Sequence, residues 1–143
     1  MGNVSGLIGS VLKPDAYAIG EHSGAALDTT DQSGMVAYLA VGACPATATL
    51  DVKIQESDES AGTYTDVPGA AFQQVTDAND HATYFGTYTL KHTSKRWVKL
   101  VATVAVADDV WFAAHLFAGP RSAENPPVGE AGSEGVRITL PAE

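Results

Sequence analysis

Residues 96–118 read RWVKLVATVAVADDVWFAAHLFA, two alternating runs separated by Ala107, Asp108 and Asp109. Successive side chains of a strand point to opposite faces. Val98, Leu100, Ala102, Val104 and Val106 therefore share one face, and Trp97, Lys99, Val101 and Thr103 the other. Only the first face is uniformly apolar, which is the pattern of a half-buried antiparallel strand. In the second run Val110, Phe112, Ala114, Leu116 and Ala118 oppose Trp111, Ala113, His115 and Phe117. Both of its faces are largely apolar, so this strand is expected to be central or covered by something else.

Upstream, MVAYLAVGA, ATLDVKIQE, GTYTDVP, AAFQQV and ATYFGTYTL are further strand-like runs, bounded by Gly, Pro, Asp and Asn clusters. In residues 50–56, Leu50, Val52 and Ile54 point one way, with Asp51, Lys53 and Gln55 pointing the other. Short strands with turn signals between them and no long helix predict an all-β, antiparallel β-sandwich, jelly-roll-like or immunoglobulin-like. A chain of 143 residues fits one such domain. We place it at residues 15–121.

The flanks read differently. In residues 1–14, Val4, Leu7, Ile8, Val11 and Leu12 carry the i, i+3, i+4 spacing of a helical face, interrupted by Gly6, Gly9 and Pro14. The expectation is an N-terminal arm that orders, as a helix if at all, against a partner surface. Residues 122–143 are rich in Pro and Gly and read as an extended C-terminal tail. Its end recovers an alternation, Val136, Ile138 and Leu140 against Arg137 and Thr139, as in a strand that joins an existing edge.

Chemistry is sought first in the acidic stretch QESDESAGTYTD, residues 55–66. Glu56, Asp58 and Glu59 lack the ligand series of a calcium loop and sit beside Ser57, Ser60 and Gly62, which form turns. They are expected to dress a solvated hairpin tip. His22, His81, His92 and His115 occur singly, in no metal-binding spacing, and no nucleophile, phosphate-binding or dinucleotide-binding motif is found. Cys44, the single cysteine, ends an apolar run and reads as a buried structural thiol. No catalytic residue, metal or cofactor is expected.

The net charge of −9 argues against nucleic acid or an anionic membrane as partner. The sign reverses locally in KHTSKRWVK, where Lys91, Lys95, Arg96 and Lys99 cluster. These charges are expected to complement an acidic surface, the chain's own or a protein partner's. The aromatic residues Tyr64, Phe72, Tyr84, Phe85, Tyr88, Trp97, Trp111 and Phe117 suit a sandwich core, with Trp111 and Phe117 as core or interface anchors.

The succession LDVKIQESDESAGTYTDVPGAAF (50–72), TDANDHATYFGTYTL (76–90) and KRWVKLVATVAVADDVWFAAHLFAGPR (95–121) resembles small virion proteins of tailed bacteriophages. The resemblance is strongest to head decoration, or cement, proteins and covers about residues 35–121. It implies a non-enzymatic protein, made in the host bacterial cytoplasm, that docks on the capsid's outer surface and bridges major capsid subunits. It also implies self-association as a dimer or trimer. With the two flanks as arms, the expected interface takes in Val4, Leu7, Ile8, Val11, Leu12, Lys91, Lys95, Arg96, Arg121, Val136, Arg137, Ile138 and Leu140. Another phage structural part (tail tube, head completion or fibre) and a carbohydrate-binding β-sandwich are the alternatives.

Overall fold

The structure, a computed structural model, describes residues 8–90 and 94–120. Within them nine strands follow in order: β1 (Ile8–Tyr17), β2 (Gly20–Ser23), β3 (Leu27–Asp28), β4 (Gln32–Val41), β5 (Thr49–Ser57), β6 (Thr65–Ala71), β7 (Ala82–Thr89), β8 (Trp97–Ala105) and β9 (Val110–Pro120). Sheet A runs β1-β9-β4-β7 and sheet B runs β2-β8-β5-β6, with the two-residue β3 also paired to β8. Every pairing is antiparallel.

The partners nest: β1 with β9, β2 with β8, β4 with β7 and β5 with β6. A ribbon of paired strands folded over on itself produces that nesting, which is the eight-stranded jelly roll. The two topologies left open by strand patterning are thus decided by pairing between residues far apart in sequence.

The alternation along β8 and β9 explains the core. Val98, Leu100, Ala102 and Val104 face inward from sheet B, and Val110, Phe112, Ala114, Leu116 and Ala118 face inward from sheet A. Leu39, Leu50, Leu100 and Leu116 are fully buried, each worth about 1.5–3 kcal/mol relative to exposure. As expected, β9 is central, lying between β1 and β4. Val106 departs from the pattern: at φ 75° and 66% exposed, it opens the corner that carries the chain from sheet B to sheet A.

The N-terminal expectation is corrected from Ile8 onward. Residues 8–14 belong to a sheet, with Ile8 opposite Ala118 and Leu12 opposite Ala114. Leu12 is a core residue, 7% exposed, where an interface residue was expected. The period-2 reading, Ser10 and Leu12 inward with Gly9 and Val11 outward, prevails because β9 supplies a long partner for the backbone groups. The GTYTDVP and AAFQQV runs also resolve differently, into a single strand β6 that ends at Ala71.

Gly24 shows how the two sheets close on one side. Its N–H donates to the Leu100 carbonyl at 2.9 Å, and a Cβ there would strike the buried Ser10 hydroxyl. Glycine is what lets the β2–β3 connection lie against β1.

Candidate functional site: the outer face of sheet A

The outer faces of the two sheets differ in kind. On sheet B the outward residues are mostly polar, Trp97 and Val101 of β8 excepted, and several of them are paired. Lys53 reaches Asp66 at 2.9 Å, and the Gln55 amide donates to the same carboxylate at 2.8 Å. These two contacts, Gln55 first, hold Asp66 below the ordinary carboxylate range. Lys99 lies 4.4 Å from the centre of the Tyr64 ring.

The acidic hairpin tip takes part in this pairing. Ser57 Oγ accepts from the Glu59 N–H at 3.2 Å and shapes the turn. Glu56 Oε1 accepts from the Lys95 backbone N–H at 3.1 Å, and Asp58 pairs with Lys95 Nζ, also at 3.1 Å. Arg96 makes a two-pronged contact with Asp28, Nε at 2.9 Å and a terminal nitrogen at 2.7 Å. That contact, joined by donors from Thr30, holds the Asp28 carboxyl far below its usual range. The acidic surface that complements Lys95 and Arg96 is therefore the chain's own.

Sheet A presents the opposite character. Register places Val11 (β1), His115 (β9), Tyr38 (β4) and Phe85 (β7) side by side in one row across all four strands. A second row holds Gly9, Phe117, Val36 and Thr87. A third brings Ala113, Ala40 and Thr83 together. The Tyr38 and Phe85 rings stack with centroids 5.9 Å apart, and His115 and Phe117 lie nearly coplanar in orientation, 6° apart, at 5.8 Å. Gly9 lets the Phe117 ring lie close over β1: a Cβ there would sit 3.2 Å from the ring and make it shift.

Trp111 extends the face toward the Gly42 end, where its backbone bonds Gly42 and Ala43. Val11, Tyr38 and Trp111 are 46%, 36% and 51% exposed. None of the residues in the three rows is Asp, Glu, Lys or Arg. In a chain of net charge −9, two adjoining rows four strands wide without Asp, Glu, Lys or Arg mark an apolar contact surface, bordered on β1 by the exposed Lys13–Asp15 pair.

Of the residues expected at an interface, Val11 stands on this face, Ile8 begins its edge strand, and Leu12 is in the core. Lys95 and Arg96 are engaged within the chain. Val4, Leu7, Lys91, Arg121, Val136, Arg137, Ile138 and Leu140 lie outside the described residues. Tyr38 and Val36 are the residues that sequence reading passed over. The signal was present: in MVAYLAVGA both alternating faces are apolar, as in β9, its neighbour in the sheet. Phe85, expected in the core, instead points outward with them, as do Trp111 and Phe117, which were expected as core or interface anchors.

Among the described residues no three or more His, Cys, Asp or Glu side chains gather where they could hold a metal ion. No helix there is long and apolar enough to cross a membrane. Cys44 is buried, and burial, with Asp80 and Asp77 adding, pushes its thiol pKa up. That is the reverse of what a nucleophile needs.

No family model matches the chain and no curated protein matches it. Among solved structures it is similar to the CBM22-1 xylan-binding domain from Paenibacillus barcinonensis, with 17% identity and a TM-score of 0.39 over 85% of this chain and 91% of that one. At this distance the likeness carries nothing about ligand or activity.

Proposed function

We propose that this chain is a non-enzymatic structural binding protein, a tailed-phage head decoration protein that docks through the outer face of sheet A. The observation that carries the docking surface is the row Val11, His115, Tyr38 and Phe85, with exposed Trp111 four residues from His115 along β9. A flat apolar surface with aromatic anchors suits a protein partner, because burying it needs no compensation of buried charge. The resemblance of residues 35–121 to decoration proteins supplies the partners: major capsid subunits on the outer surface of the virion, and further copies of the chain as a dimer or trimer. Sheet B, with its paired charges, then faces solvent and keeps a densely repeated surface soluble.

Copy number in purified particles tests this reading. A number that scales with the major capsid protein supports it. A single small ring per particle points instead to a connector or tail part.

A second reading, a carbohydrate-binding module, is favoured by one observation, the stacked Tyr38–Phe85 pair on the same sheet as exposed Trp111. Aromatic faces of this kind also receive sugar rings. Binding on a glycan array that disappears in a folded Trp111→Ser variant would promote it over the first.

A further inference from the structure

Two exposed aliphatic side chains stand apart from the outer face of sheet A. Ile19, between β1 and β2, is 53% exposed, and Val106, between β8 and β9, is 66% exposed. The two turns are tied together. Asp108 Oδ1 accepts the Ile19 N–H at 2.8 Å, and the Asp109 N–H donates to the Tyr17 carbonyl at 3.0 Å.

Val106 continues the alternation of Val98, Leu100, Ala102 and Val104, so a straight strand would carry it inward. Its φ of 75° turns it out instead. Few β-branched residues adopt a positive φ, and glycine or asparagine holds such a turn with less strain. Thr47, in the β4–β5 connection at the same end of the sandwich, is a second exposed β-branched residue of this kind, at φ 71°. A strained valine that buries little adds nothing to the core, and strain of this sort collects at ligand clamps and other functional positions.

The charge at this end has one sign. Its connections, residues 18–19, 42–48, 72–81 and 106–109, are all described and hold Asp77, Asp80, Asp108 and Asp109 but no Lys or Arg. Residues 1–7, 91–93 and 121–143 join the fold at the opposite end, beside Ile8, Leu90 and Pro120.

We propose that the Ile19–Val106 corner is a docking point for a basic, amphipathic protein segment. Such a segment sets an apolar side chain against Ile19 and Val106, and Lys or Arg beside Asp108 and Asp109, both of which are exposed. Charge decides among the occupants. A second copy brings a chain of net charge −9, whose Lys95 and Arg96 are already paired with Asp58 and Asp28. An anionic membrane is repelled by the same aspartates. A basic segment is drawn in by them, and the two aliphatic side chains give the contact an uncharged centre within a polar rim. The corner lies at an end of the sandwich, so this inference stands whether or not sheet A docks on a capsid.

Backbone amide shifts of the full-length protein, titrated with the capped synthetic peptides KLKLK, KSKSK and ELELE, test it. KLKLK should shift the Ile19, Val106, Asp108 and Asp109 amides saturably and bind about ten-fold tighter than KSKSK, and ELELE should leave those amides unmoved. Val106→Asn should weaken KLKLK about five-fold or more. Its urea midpoint should equal or exceed that of the native protein, because asparagine accepts the positive φ. Ile19→Ser should weaken the peptide in the same direction. A lower urea midpoint for Val106→Asn would overturn the proposal, since the valine would then be held for the fold. So would the absence of a saturable shift, shifts centred on Val11 and Tyr38, or equal binding of KSKSK. Corner shifts that grow with protein concentration in the absence of peptide would also overturn it, because the occupant would then be a second copy.

Discussion

Tyr38 of β4 stacks on Phe85 of β7 on the outer face of sheet A, with ring centroids 5.9 Å apart and planes 29° from parallel. The two residues sit opposite each other in register, so the stack follows from strand pairing alone. Its exposed position is what fold stability does not explain: the core beneath it is completed by Met35, Ala37 and Leu39, which point the other way.

Stability and binding should therefore separate on this sheet. Trp111→Ser, at a side chain half exposed, is expected to cost about 1 kcal/mol or less. Leu39→Ala, at a side chain with no exposure, is expected to cost about 2–5 kcal/mol. Urea unfolding with an unchanged slope measures both. Equal losses would mean that the outer aromatics are retained for the fold.

The Arg96–Asp28 contact makes a pH-dependent contribution with a definite sign. The guanidinium, then Thr30, lowers the carboxyl's pKa in the folded chain. Its stabilisation is thus present above the ordinary carboxylate pKa of about 3.9 and is lost as pH falls below it. The urea midpoint of Arg96→Gln should lie below that of the native protein at neutral pH, and the gap should narrow below about pH 4. Added salt should narrow it too, since both groups are solvent-exposed. A gap independent of pH would show that the arginine acts through packing.

Gly24→Ala should destabilise the closed side of the sandwich by about 1–3 kcal/mol, because the new methyl meets a buried side chain. The obstacle is the Ser10 hydroxyl; with it removed, the nearest Ser10 atom would be its Cβ at 3.4 Å. The double variant Ser10→Ala/Gly24→Ala should recover most of the loss in a double-mutant cycle. Additive losses would place the strain elsewhere.

The parts of this fold that sequence made legible are those fixed by nearest neighbours along a strand. Leu50, Val52 and Ile54 alternate with charged and polar residues and are buried as expected, and the doubly apolar β9 is central. The acidic stretch is a turn because Ser57 and Gly62 make it one. What was not legible depends on distant partners. Asp28 meets Arg96 from 68 positions away, so Lys95 and Arg96, two members of the basic cluster in sequence, are engaged in ion pairs within the chain. β1 was open to misreading because Val4, Leu7, Ile8, Val11 and Leu12 fit a helical stripe, and only β9 decides the strand. Tyr38 was missed because an outward aromatic and an inward one look alike until the sheet has two sides.

The most direct measurement is an electron cryo-microscopy map of tailed-phage heads prepared in the presence of this protein, resolved well enough to orient the two sheets. The account predicts sheet A against the capsid, with Val11, Tyr38, Phe85 and Trp111 buried in the contact and the Lys53–Asp66 and Arg96–Asp28 pairs of sheet B facing solvent. Heads on which sheet B makes the contact and the aromatic row lies bare would contradict it, as would heads from which the chain is absent.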